Sequence, residues 1–196
     1  MKYDIPAVIF AGGKSSRMGE DKSLLPFGGY PTLSEYQYRR IEGFFDDVYL
    51  SAKTEKFDFD CKVITDRYEG ASAMVALASA LETLKSEWLF VLSVDAPFVD
   101  KNVIDRLLAH REAYASVIVA RSPHGLEPLC ALYHHSVMPA TKHLLSFDNH
   151  RLTALLRSIK KVEVEFEEEE KFFNMNHPEE YRKALTLLED ISATDS

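Results

Sequence analysis

The chain has 196 residues, long enough for one domain with a substantial core, and its hydrophobic (46%) and charged (28%) fractions are ordinary for a globular protein. Its formal net charge of −8 argues against a nucleic-acid surface, so a polyanionic ligand has to be drawn by a local cationic patch. Cys61 and Cys130 show no metal-ligand spacing and no disulfide framework, no apolar run approaches the roughly 20 residues of a membrane span, and MKYDIPAVIF carries no cleavable signal pattern, so the expected setting is the cytoplasm.

IPAVIF (5–10) reads as a first buried strand, and it runs straight into Ala11, Gly12 and Gly13. PTLSEYQYRRIEGF (31–44) has a helical pattern, DVYLSA (47–52) and CKVIT (61–65) read as short strands, and SAMVALASALETL (72–84) reads as a helix. In that helix Leu77, Leu81 and Leu84 recur on one face, which has to be buried. WLFVLSV (88–94) is almost continuously apolar, the mark of a strand covered on both faces, and KNVIDRLLAHREAY (101–114) follows as a helix with Asp100 as its cap. SVIVA (116–120), PLCALY (128–133) and the alternating KVEVEF (161–166) complete the strands, the last expected near a sheet edge. Glu167 to Glu170 form a run of carboxylates that repel rather than converge, and read as a solvated turn. The final helix begins at NHPEEY, with Pro178 in its first turn and Glu179 and Glu180 at the positive dipole end; ISATDS (191–196) is expected to fray. Strands alternating with helices imply an α/β fold: a doubly wound, mainly parallel sheet in a three-layer αβα arrangement, with residues 1–196 forming a single domain.

In such a sheet ligands bind beyond the C-terminal strand ends, where Ala11, Gly12 and Gly13 fall. Residues without bulky side chains let a ligand approach the backbone, whose N–H groups can cradle phosphate oxygens, and Arg17 and Lys22 supply charge. The spacing fits neither G-x-x-x-x-G-K-[ST], since Gly13 and Gly19 are one residue too far apart and Glu20 follows, nor G-x-G-x-x-G, since Gly12 and Gly13 are adjacent. Asp21, flanked by charged residues, is expected to hold the loop by ion pairing rather than to bind metal. His134 and His135 are expected in surface or capping roles, and Asn174 and Asn176, two residues apart, face one side of an extended segment and suit a polar substrate.

The string AGGKSSRMGEDKSLLPFGG resembles the signature loop of nucleotidyltransferases with a GT-A-like Rossmann-type fold, close to L-A-G-G-x-x-x-R-M-G-x-D-K, with Phe10 in place of Leu. Over nearly its whole length the chain is most similar to the molybdenum cofactor guanylyltransferases. LSVDAPFV (92–99) resembles that family's D-x-P strand end, EPLCALYH (127–134) its E/Q-P-L-x-x-x-Y element, FFNMNHPEEY (172–181) its F-x-N-x-N-T-P-E-E element, and Asp66 falls at its aspartate after the third strand. Two departures stand out. Lys53 takes the place of an Asn that contacts the nucleotide, and EGASAMVAL keeps Gly70 but lacks proline. His177 for Thr is milder, because both can cap the helix.

The resemblance implies transfer of GMP from GTP to the terminal phosphate of Mo-molybdopterin, with release of pyrophosphate. Arg17, Lys22 and Asp95 are the implied catalytic residues. Phe10, Ala11, Gly12, Gly13, Lys22, Asp66 and Asp95 are implied to bind the nucleotide, Asp95 to hold Mg2+ (with Mn2+ able to substitute), and Asn174 and Asn176 to bind the second substrate. The expected partners are GTP and Mo-molybdopterin, with no nucleic acid and no membrane; other molybdenum cofactor biosynthesis proteins and molybdoenzyme chaperones are compatible with it. A related transferase using CTP on molybdopterin or an NTP on a sugar phosphate stays open, as does a non-catalytic nucleotide-binding module.

Overall fold

The computed structural model describes residues 2–12, 21–112 and 114–194, with side chains through Asp190. The described residues form one seven-stranded sheet and six α-helices. The strands are β1 (Ala7–Phe10), β2 (Val48–Ala52), β3 (Val63–Thr65), β4 (Trp88–Ser93), β5 (Val117–Ser122), β6 (Gly125–His134) and β7 (Lys161–Glu165), in the order β3-β2-β1-β4-β6-β5-β7. The helices are α1 (Leu33–Glu42), α2 (Ala73–Leu84), α3 (Lys101–Leu108), α4 (Met138–Ser146), α5 (Leu152–Ser158) and α6 (Pro178–Thr194).

All seven expected strands are present, and KVEVEF lies at the sheet edge as its alternation requires. β6 alone runs against its neighbours: it pairs antiparallel with β4 and with β5, to which a tight turn joins it at Ser122 and Gly125. Asp100 caps α3 by accepting from the Val103 N–H at 3.1 Å, as expected. The stretch between β6 and β7 holds α4 and α5, which carry weak sequence signatures: neither has a side-chain cap, α5 spans only seven residues, and the start signal of α4 is Pro139 in its first turn. The backbone of α6 runs to Thr194, into the stretch expected to fray, and residues 195 and 196 lie outside the described set.

Strand alternation divides the core. Ala7 and Ile9 of β1, with Phe90 and Leu92 of β4, pack under α1, α3 and α6, whereas Val8, Phe10, Leu89 and Val91 pack under α2, α4 and α5. Because both faces of β1 and β4 are covered, these strands are apolar throughout, and the sheet has helical layers on either side. Leu77 and Leu81 are fully buried and Leu84 partly so, which confirms the α2 face. Both cysteines are free thiols, and among the described residues no helix is long and apolar enough to cross a membrane.

A two-residue turn at Gly28 and Gly29 leads into α1, closed by hydrogen bonds in both directions between Phe27 and Tyr30 (2.9 and 3.1 Å). Both glycines have positive φ (58° and 79°), as such turns require. A Cβ on Gly28 would lie 2.5 Å from the Tyr36 ring, whereas one on Gly29 would meet nothing within 4 Å. Gly28→Ala is therefore expected to cost about 2–4 kcal/mol, combining backbone strain with overpacking, and Gly29→Ala about 1–2 kcal/mol from strain alone. In thermal denaturation the first should lower Tm by roughly 5–15 °C and the second by clearly less; equal shifts would remove the packing explanation.

Candidate functional site

β1, β2, β3 and β4 are parallel, so their C-terminal ends share one edge of the sheet, and the antiparallel β6 brings its first half to the same edge. Two clefts open there. One is lined by Phe10, Gly12, Ser51, Lys53, Asp66, and Ala71, Ser72 and Ala73 where the chain enters α2. The other is lined by Asp95, Glu127, Pro128, Asn174 and Asn176. Ser93 and Leu129 border both, so the clefts adjoin along the ends of β4 and β6.

Asp95 lies in the turn after β4 and is 7% exposed. Its Oδ1 accepts from the Ser93 hydroxyl, its Oδ2 is ion-paired with Lys22, and its backbone carbonyl accepts from the Met175 N–H at 3.1 Å. The turn is braced from beneath. Gln37, buried in α1, donates to the carbonyls of Val94 and Ala96, both at 3.1 Å, and Arg40 holds the Gln37 carbonyl oxygen from two guanidinium nitrogens at 2.6 and 3.0 Å. Asp95 is thus held in place by contacts within the protein itself.

Lys22 opens a short 3-10 turn, Lys22–Leu24, capped by Asp21. Beyond the Asp95 ion pair, its Nζ donates to the Met175 carbonyl at 3.2 Å and to Asn176 Oδ1 at 3.1 Å. One amine therefore links the glycine-rich end of the chain, the β4 turn and the segment before α6. Glu180 reaches back from α6 to accept from the N–H groups of Asn176 (2.6 Å) and His177 (2.8 Å), the reach-back contact of a capping box. Asn174 and Asn176 border the same cleft, as their two-residue spacing suggested.

Asp21 is ion-paired, as its sequence context suggested, but its partner is Lys56, at 2.6 Å. Burial works to raise the Asp21 carboxyl; the hydrogen bonds from Lys56 and Ser23, with the Lys56 charge, outweigh it and hold the group below its usual range. Ala11 spends its N–H on the Ser51 carbonyl (2.9 Å), and its own carbonyl accepts from Lys56, so its backbone is fixed by β2 and the β2–β3 loop. Gly13 and Arg17 lie outside the described residues. His134 caps the turn after β6 through Nδ1 and stacks edge-on with Trp88, in keeping with a capping role.

In the first cleft the Asp66 Oδ1 and the Ser51 hydroxyl are buried with no hydrogen-bond partner among the described residues. Burial pushes the Asp66 carboxyl above its ordinary value, against the opposing charge of Lys53. Burial likewise raises Glu127, which accepts from the Ser122 hydroxyl at 2.7 Å. Ser51 and Glu127 line the clefts and Lys56 braces Ala11 and Asp21, and to none of the three did the sequence alone assign a role. Glu127 stood inside a recognisable element, whereas Lys56 and Ser51 carry no local signal.

Among the described residues no group of three or more His, Cys, Asp or Glu side chains could hold a metal ion. Asp95 presents a single hard carboxylate that already faces a cation. That donor set fits Mg2+ arriving with phosphate oxygens rather than a resident, protein-caged metal. The mostly exposed stretch 167–170 makes surface contacts instead, Glu169 to His124 at 2.8 Å.

Residues 7–164 match the family model described as MobA-like NTP transferase domain. A Campylobacter jejuni protein named molybdenum cofactor guanylyltransferase is 40% identical over 94% of this chain and 97% of its own length. A Helicobacter pylori protein of the same name is 32% identical over 96% of this chain and 92% of its own. Among solved structures, the molybdopterin-guanine dinucleotide biosynthesis protein A of Archaeoglobus fulgidus superposes with a TM-score of 0.83 at 20% identity, covering 95% of this chain and all of that one, a likeness of fold. With a matching signature loop, the expected sheet and relatives spanning nearly its full length, the chain belongs to the MobA-like NTP transferase domain family.

Proposed function

We propose that this protein works in the cytoplasm as a guanylyltransferase, moving GMP from GTP to the terminal phosphate of Mo-molybdopterin and releasing pyrophosphate. The observation that carries the reading is the meeting of Lys22, Asp95 and Asn176 at the cleft that Asp95 and Asn176 line, next to the Ser93 border it shares with the other cleft. A reaction between two phosphorylated substrates needs cationic and metal-holding groups between their binding sites. The names of the Campylobacter jejuni and Helicobacter pylori relatives support the same activity.

The Phe10–Asp66 cleft takes the nucleoside. A buried carboxylate oxygen without a partner is costly, and a ligand that donates to it recovers that cost. Guanine offers donors at N1 and N2 that Asp66 can accept, while Lys53, a donor only, is suited to O6 or N7. Neither ATP nor UTP offers the same edge, and CTP offers one exocyclic amine. A Cβ on Gly12 would make only ordinary contacts with Ser51, Ala52 and Lys53, so the fold itself does not require glycine there, and its small size suits close approach of the ribose and phosphates.

The acceptor phosphate is ionised at neutral pH, so no strong general base is required. Its oxygen attacks the α-phosphorus in line; a new P–O bond forms as the bond to pyrophosphate breaks, and the electron pair leaves with pyrophosphate. Lys22 shifts from Asp95 toward the phosphates and offsets the charge that develops there, and Arg17, five residues earlier in the sequence, is assigned a second share of that charge. Asp95 and phosphate oxygens would together hold Mg2+, which neutralises charge on the α-phosphate and the leaving group. Asn174 and Asn176 orient the acceptor in the Glu127 cleft. Catalysis on this scheme is mostly positioning and electrostatics.

Pyrophosphate release with Mo-molybdopterin and Mg2+, compared for GTP, ATP, CTP and UTP, tests the reading. GTP is expected to be preferred by at least tenfold in kcat/KM, because no competing base presents the two adjacent donors, N1 and N2, that Asp66 can accept. Preference for CTP would replace guanylyl by cytidylyl transfer, and nucleotide binding without release would make the chain a nucleotide-binding module.

A further inference from the structure

Lys56 stands in the loop between β2 and β3, outside every motif of the chain, yet its ammonium is fully engaged. Nζ donates to the Ala11 carbonyl at 2.9 Å, to Asp21 Oδ2 at 2.6 Å and to the Ser23 hydroxyl at 2.8 Å. An ammonium has three donors, and each has an acceptor. Ala11 follows β1, and Asp21 and Ser23 flank Lys22, so one side chain ties the Lys22 turn to the strand end. We infer that Lys56 is a positioning residue for nucleotide binding: it seats the Lys22 turn on β1 and neutralises Asp21, leaving the Lys22 amine as the charge that meets the polyphosphate. This rests on the guanylyl-transfer reading above.

The turn does not depend on Lys56 to stay folded. Ser34, buried in α1, donates to the Ser23 carbonyl at 2.8 Å, and the Leu33 N–H donates to the Leu25 carbonyl at 2.6 Å. Asp21 also keeps its cap contacts to Ser23 without help from the amine. Loss of Lys56 therefore leaves a folded turn carrying an uncompensated carboxylate next to Lys22. That carboxylate can repel the incoming phosphates or compete for Lys22, and either weakens the nucleotide before the chemical step. A packing role predicts something different: lower stability, with no dependence on the Asp21 charge.

The test compares Lys56→Met, Lys56→Gln, Lys56→Arg and the double variant Lys56→Met/Asp21→Asn in the full chain. GTP affinity by calorimetry, KM and kcat for GTP, and Tm are measured at low and at high salt. Lys56→Met and Lys56→Gln should each weaken GTP binding roughly tenfold or more, as expected for a lost charged contact, with the larger change in KM than in kcat. The defect should shrink at high salt, where repulsion from Asp21 is screened. Lys56→Arg should stay within about threefold of the parent, because it keeps the charge. The double variant should bind GTP better than Lys56→Met, because Asn removes the exposed charge and still caps the turn. Parent-like GTP affinity in Lys56→Gln, or a double variant no better than Lys56→Met, overturns the inference. A parent that binds GTP but releases no pyrophosphate overturns guanylyl transfer alone, and the affinities still decide the role of Lys56. A parent that binds no GTP overturns both.

Discussion

Asp95→Asn is expected to leave a folded protein with kcat/KM reduced roughly a hundred- to a thousandfold, or about 3–4 kcal/mol of transition-state stabilisation. The substitution is nearly isosteric, and the fixtures around the residue survive it. An amide still pairs with the Ser93 hydroxyl, the backbone carbonyl still accepts from Met175, and Gln37 still braces the turn. What goes is the charge, and with it both the attraction for Lys22 and the carboxylate expected to hold Mg2+. Lys22 keeps 19% of its side chain exposed and can turn toward water, so the cost to stability should be small, about 1 kcal/mol. Pyrophosphate release and thermal denaturation, measured side by side, check both statements. Activity within tenfold of the parent, or full activity of the parent in EDTA, would show that the carboxylate holds no essential metal.

The placement of these groups was legible in the sequence to different depths. Strand ends could be located because β1 and β4 are buried on both faces, and double burial leaves an unbroken apolar run. From there, Gly12, Lys22 and Asp95 could be assigned to one edge of a parallel sheet. The direction of β6 could not be read, since an apolar run looks the same whichever way the strand points, and that direction is what brings Glu127 and Leu129 to the edge. Asp21 could be expected in an ion pair, but its partner is 35 residues away in the chain and comes close only through the β1–β2 pairing. Lys56 is one of many lysines until its three acceptors are placed around it. Gln37 is harder still. A polar residue inside an amphipathic helix reads as surface, and only the carbonyls of Val94 and Ala96 make sense of its burial. Local pattern carries the elements and the signature loop; contacts between distant segments carry the positioning.

Lys22→Met is expected to lower kcat/KM for GTP by roughly ten- to a hundredfold, the usual worth of a charged hydrogen bond to phosphate, about 1.5–3 kcal/mol. Met keeps most of the apolar stem and removes the ammonium, which reaches the Met175 carbonyl and Asn176 Oδ1 as well as Asp95. Arg should be a poor substitute, because its planar fork does not match acceptors that converge on a single point. Tm should change little, since the short turn keeps its Asp21 cap and its Ser34 anchor. A second measurement separates Lys22 from Asp95. The amine is paired with Asp95 Oδ2, so removing it uncovers the carboxylate. Titration with Mn2+ at a saturating concentration of a non-hydrolysable GTP analogue should therefore show affinity raised or unchanged in Lys22→Met and lowered in Asp95→Asn, although both variants lose turnover. Weaker Mn2+ binding in Lys22→Met would mean that the lysine supports the metal site rather than covering it, and unchanged kcat/KM would take Lys22 out of the reaction.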